Sequence, residues 1–168
     1  YQKKCKKADR MIMFQTEAAS KIDRTSIPYA IDRKKGDMTL QEITRAAINF
    51  LYKKNPDKFF LMVEGGKIDW ACHANDAANV FEEIKDMDDA VRVAYEFYCQ
   101  HPDETLIVIT ADHETGGIGL GNGDYTLRSE LLSYQRRSAP EFSAHIKSLR
   151  AKLGDDKFTY DVVRKALT

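Results

Sequence analysis

The stretch FFLMVEGGKIDWACHANDA, Phe59 to Ala77, decides the reading of this chain. Phe59–Val63 is apolar at consecutive positions, which predicts a strand covered on both faces, as in a parallel sheet. The run ends in Glu64, two glycines, and then Asp69 and His73 four residues apart. A second oily run, TLIVIT over Thr105–Thr110, ends in Asp112 and His113. In open α/β sheets, ligands bind beyond the carboxyl ends of the strands, so both polar clusters are expected at one crevice.

The elements between these runs support that architecture. RMIMF, Arg10–Phe14, reads as a first short strand, and the polar segment from Thr16 to Asp37 as mostly loop. Thr39 and Glu42 form the S/T-x-x-E pattern of a capping box. Leu40, Ile43, Ala47 and Leu51 then repeat at helical spacing until the helix stops ahead of Pro56. A helix from Ala74 to about Gln100 follows, with Ala77, Val80, Phe81, Ile84, Val91, Ala94 and Tyr98 expected inward and a bend near Met87–Asp89. Strand alternating with helix predicts an α/β fold with a mostly parallel central sheet flanked by helices. After the flexible Gly116–Gly123 turn region, Leu127–Arg137, Pro140–Leu153 and Tyr160–Leu167 read as amphipathic helices. The organisation expected is an α/β part over 1–123 and a helical C-terminal insertion over 124–168.

Composition narrows the functional classes. The chain has 168 residues, 43% hydrophobic and 31% charged, and its 26 basic residues balance 26 acidic ones. That balance argues against nucleic acid or an anionic membrane as partner. The basic run Lys3, Lys4, Lys6, Lys7 is short and reads as a solvated face. No apolar run approaches the ~18 residues of a membrane span, and no signal peptide is visible. The start at Tyr1 rather than Met reads as a processed or partial chain. Cys5, Cys72 and Cys99 cannot all pair and show no C-x-x-C spacing, so they read as ordinary thiols, at least one of them buried.

Asp, His and Glu together suit zinc and magnesium. Asp69 and His73 share a helical face if the intervening turn is helical. Asp112 and His113 are adjacent and can be aimed at one ion by a loop. Glu64, an oxygen donor, suits a harder ion such as magnesium. HETGG lacks the second histidine of the metalloprotease H-E-x-x-H. Cys72 reads as a small buried hydrophobe rather than a ligand, and His101 and His145 as surface residues.

FFLMVEGGKID…H followed by TLIVITADHETGG resembles the alkaline phosphatase family, and PYAIDR…MTLQEITRAAINFL resembles that family's approach to the first motif. The resemblance covers Arg10 to Gly121. It implies hydrolysis of phosphate monoesters through a phosphoserine, with two zinc ions and one magnesium. By motif, Asp69 and His73 resemble ligands of the zinc on the leaving-group side, Asp112 and His113 ligands of the zinc beside the nucleophile, and Glu64 the magnesium ligand. Family members are commonly homodimeric and exported, periplasmic in bacteria, and both are expected here on that ground alone. The departures are specific. Ser20, Ser26, Ser129, Ser133, Ser138, Ser143 and Ser148 all lack a preceding Asp, so the family's Asp-Ser-Ala nucleophile is absent, as are its early Asp, its phosphate-clamping Arg and its late zinc-binding His. The expectation is the middle of a phosphatase, supplying metal ligands but no catalytic nucleophile, inactive alone, and completed by the rest of the polypeptide. The alternative is a non-catalytic metal-binding or interaction module derived from the same fold.

Overall fold

Thr39 commits the chain to its first long helix. In the computed structural model, which describes residues 16–23, 25–117, 126 and 128–167, α2 (Leu40–Lys54) starts on the expected capping box. Thr39 Oγ1 accepts from the Glu42 amide at 3.1 Å, and the Glu42 carboxylate accepts from the Thr39 amide at 3.0 Å. Two donors left orphaned by the first turn are thereby satisfied. Before it, the segment read as loop holds a short α1 (Glu17–Ile22), N-capped by Thr16, and a 3-10 turn over Ala30–Asp32.

α2 packs against α4 (Ala77–Gln100). Thr44, Ala47 and Ile48 are buried at this contact side of α2, and Thr44 satisfies its hydroxyl by donating to the Leu40 carbonyl at 2.8 Å. α4 is a single helix with no break at Met87–Asp89. It begins at Ala77 because a separate helix, α3 (Gly66–His73), precedes it and ends in a turn.

The buried face of α4 matches the expected one at Val80, which is 3% exposed, and departs from it at Phe81 and Ile84. Phe81 and Ile84 are 46% and 47% exposed, whereas Asn79, Glu83 and Asp86 are buried beside Ala78, Val80, Ala90 and Val93. The acids are buried because they have partners. A Glu83 carboxylate oxygen accepts from the Ala30 amide at 2.6 Å, and Asp86 takes the Arg33 guanidinium in a two-point pair, Nη1 to Oδ1 at 2.6 Å. Charge-assisted, bidentate contacts of this kind offset the cost of taking carboxylates out of water. They also fasten the Ala30–Asp32 turn to α4.

The expected sheet is not formed among the described residues. The strand expected at Arg10–Phe14 lies outside them. Segments 59–63 and 105–110 carry no strand pairing, although side-chain exposure alternates along the first as it would in a strand. Phe60 and Met62 are 85% and 78% exposed, and Leu106 and Val108 86% and 72%. A strand needs a neighbour that pairs with its backbone donors and acceptors. No described segment supplies one.

The C-terminal part is helical as expected, with one change. The first expected helix is only a 3-10 turn, Ser129–Tyr134. α5 (Ala139–Leu153) is N-capped by Ser138, whose hydroxyl accepts from the Glu141 amide at 3.3 Å, and carries Pro140 in its first turn, where a missing amide costs nothing. Gly154, at φ 78°, ends it, and α6 (Tyr160–Leu167) follows. Among the described residues no helix is long and apolar enough to cross a membrane.

Candidate metal centre

The two glycines after Glu64 let α3 begin in a crowded place. A Cβ at position 65 would stand 3.1 Å from Ile68 Cδ1 and 3.3 Å from Met87 Sδ on α4, and one at position 66 would stand 3.1 Å from Glu64 Oε1. Without those carbons α3 starts close under α4 and beside the Glu64 side chain.

The helical period then places Asp69 and His73 one turn apart on one face. His73 Nε2 lies 3.1 Å from Asp69 Oδ1. His113, from the second motif, brings its Nε2 to 3.7 Å from the same oxygen, and the two imidazole rings stand 6.1 Å apart between centroids. Asp69, His73 and His113 each offer a ligand atom within 4.8 Å of the others. The two motifs thus meet around Asp69. Asp112 is more peripheral. Its carboxylate is 86% exposed, with Oδ2 3.6 Å from His113 Nε2. Glu64 is exposed and stands outside the three-residue group.

His113 is held in a ligand-ready form. Its Nδ1 lies 2.8 Å from the Glu114 carbonyl, which can only accept, so Nδ1 carries the proton and Nε2 has the free lone pair in the neutral ring. That hydrogen bond and then the Asp112 carboxylate push the His113 pKa up against an opposing effect of burial, and Asp69 adds to the rise. Metal uptake must displace any proton on Nε2, so affinity rises with pH.

The chemistry of Asp69 fits a cation. Oδ1 is buried without a hydrogen bond, although two imidazole nitrogens face it at ion-pair range, because neither meets hydrogen-bond geometry. A buried, unpartnered carboxylate oxygen is costly. A cation beside that oxygen removes the cost, and carboxylate oxygen together with imidazole nitrogen suits zinc.

The residues after Asp69 are held by a turn of defined geometry. Asn75 adopts φ 52°, its amide donates to the Cys72 carbonyl at 3.0 Å, and the Asp76 amide donates to the Ala71 carbonyl at 3.0 Å. This is a Schellman stop, which leaves His73 in the last turn of α3.

Sequence reasoning passed over Lys67. Its ammonium sits 4.0 Å from the Trp70 ring centre, 4.5 Å from that of Tyr29 and 3.8 Å from Asp23 Oδ2. Burial pushes its pKa down, while Asp23 and Glu83 act the other way. The signal in the sequence was a lysine three residues before a tryptophan on a helix, a spacing that lets the two meet. His101, expected at the surface, is half-buried against Phe97 and Tyr52, at 4.6 and 5.0 Å between ring centroids. Of the cysteines, Cys72 is half-buried and Cys99 exposed, and Cys5 lies outside the described residues.

Known proteins are similar to this chain over much of its length. The family model described as alkaline phosphatase matches residues 22–162. "Alkaline phosphatase 3" of Bacillus subtilis is 42% identical over 119 residues, which is 70% of this chain and 25% of that protein. "Repressible alkaline phosphatase" of Saccharomyces cerevisiae is 43% identical over 98 residues, 55% of this chain and 17% of that protein. The crystal structure of a cold-active alkaline phosphatase from a psychrophilic Shewanella superposes with a TM-score of 0.62 at 38% identity, covering 71% of this chain and 29% of that one. The chain therefore spans a quarter to a third of the length of its nearer relatives, such as the Bacillus and Shewanella proteins. Both motifs that meet at Asp69 lie within the matched region, and the chain belongs to the alkaline phosphatase family.

Proposed function

We propose that this chain is the metal-carrying middle portion of an alkaline phosphatase that hydrolyses phosphate monoesters through a phosphoserine intermediate. The observation that supports it most is the meeting of Asp69, His73 and His113 around a buried carboxylate oxygen with no hydrogen bond. In this reading Asp69 and His73 hold one zinc, Asp112 and His113 a second, and Glu64 a magnesium. The ions, when bound, supply positive charge to the transferring phosphoryl group. The chain's own residues keep the donors in place. α3 sets the Asp69–His73 spacing, the Glu114 carbonyl holds the His113 tautomer, and Gly66 leaves room for Glu64.

The nucleophilic serine and the remaining ligands belong, on this proposal, to polypeptide outside the sequence, which also supplies the neighbours that pair segments 59–63 and 105–110 into a mostly parallel sheet. Residues 1–123 form part of that α/β core and 124–168 a helical insertion. The complete protein is proposed to be exported and dimeric, on family grounds.

The test is a cobalt(II) or zinc titration of the chain. Asp69→Ala and His113→Ala are each expected to weaken binding by more than about 100-fold, beyond the cost of losing an outer-shell partner. Unchanged affinity in both variants sinks the metal centre. An assay of the chain with zinc, magnesium and a chromogenic phosphate ester is expected to show no turnover, and robust metal-dependent turnover would overturn the inactivity of this portion.

A further inference from the structure

We propose that Asp76 is a positioning residue that ties the His73-bearing end of α3 to the start of α5, so that the C-terminal helices brace the metal centre. Its consequence for metal rests on the function proposed above, while its geometry stands by itself.

Asp76 occupies a junction. Its amide closes the Schellman stop of α3, and the next residue begins α4. Its side chain makes no cap for α4, which leaves the carboxylate available for another element. Both oxygens are used. Oδ1 accepts from Gln135 Nε2 at 2.5 Å, and Oδ2 accepts from the Ala139 amide at 2.7 Å. Gln135 is held in that orientation by a second bond, from Nε2 to the Arg137 carbonyl at 2.8 Å. Asp76 is 6% exposed, so these bonds compete little with water.

A second carboxylate completes the attachment. The amide of Ser138, a residue with no exposed surface, donates to Asp32 Oδ1 at 2.9 Å. The first amides at the start of α5 therefore point at two anions, where helix geometry leaves donors unpaired and the macrodipole favours negative charge. Both anions sit on elements that hold the site, Asp32 on the turn fastened to α4 and Asp76 just beyond His73. Displacement of α5 is transmitted through Asp76 and two backbone bonds to the last turn of α3. The helices from 129 onward, an appendage in sequence terms, are mechanically part of the site's support.

The experiment compares the unmodified chain with Asp76→Ala and Gln135→Ala. Amide hydrogen exchange without metal is read at Asn75 and Asp76, and cobalt(II) affinity is read from the absorption of the bound ion. The brace predicts about 10-fold faster exchange at both amides in each variant, with full helicity by circular dichroism in Gln135→Ala. It predicts about 10-fold weaker cobalt(II) binding by the folded variants, the lower end of what loss of an outer-shell partner costs. If Asp76→Ala does not fold, Gln135→Ala decides alone. Unchanged exchange in the folded variants overturns the brace, and so does faster exchange with unchanged cobalt(II) affinity. Failure of the unmodified chain to bind cobalt(II) counts against the proposed function, and the exchange rates then still decide the brace.

Discussion

Two regions of this molecule invert the usual relation between polarity and burial. Along α4, the acids Glu83 and Asp86 are buried, while in segments 59–63 and 105–110 Phe60, Met62, Leu106 and Val108 are largely exposed. The difference lies in partners rather than in hydropathy. The α4 acids meet Arg33 and the Ala30 amide, residues of this same chain. The apolar segments meet no described neighbour that pairs with their backbone. These two acids are buried where the chain supplies them partners, and the oily runs stay exposed where no described residue covers them.

The largest effect that probes this contrast comes from the buried ion pair. Arg33 and Asp86 side chains are 12% and 8% exposed. Arg33→Ala leaves Asp86 uncompensated and is expected to cost about 3–5 kcal/mol, read by chemical denaturation. A loss below about 1 kcal/mol, the range of surface pairs, would show that the α4 acids are not held as described. Next in size is Thr39→Ala. It removes one arm of the capping box and is expected to cost about 1 kcal/mol by the same measurement, with α2 otherwise intact.

A smaller effect is the pH dependence of two carboxyls with opposite shifts. Burial pushes the Glu83 pKa up, against the Ala30 hydrogen bond and Arg33. Its contribution is therefore full below the unfolded carboxyl pKa and is lost as pH rises through the raised folded value. Hydrogen bonds from Thr16 and the Lys34 amide hold the Asp37 pKa down, so its contribution is present above the unfolded pKa and is lost as pH falls through the lowered one. Denaturation between acid and neutral pH is expected to show the Glu83→Gln and Asp37→Asn variants each losing one of these opposed slopes. Equal slopes in both variants and the parent would break the assignment. The smallest effect is expected on the apolar side of the comparison. Phe60→Lys at an 85% exposed position is expected to change monomer stability by less than about 0.5 kcal/mol while reducing self-association in sedimentation experiments. A large destabilisation would mean that Phe60 is covered in solution.

Legibility in the sequence followed the range of the interactions. The start of α2 at its capping box and the extent of α5 up to Leu153 depend on contacts within a few residues, and both follow from local chemistry. The i, i+4 placement of Asp69 and His73 is equally local. On α4, Val80 is inward as its hydropathy implies, but Phe81 and Ile84 are not, and the partners that bury Glu83 and Asp86 lie 53 residues away. The expected helix over 127–137 shortened to a 3-10 turn, and nothing local distinguished the two.

The sequence by itself determined the family, the helix boundaries set by caps, and the identities of the residues able to hold metal, since each rests on residue type and short spacing. Only the tertiary structure decided that His113 meets Asp69 and His73, that the face of α4 carrying acids is the buried one, and that Asp76 reaches Gln135 and Ala139. Those outcomes depend on which distant groups arrive to satisfy a charge or a hydrogen bond, and a one-dimensional pattern does not specify that arrival.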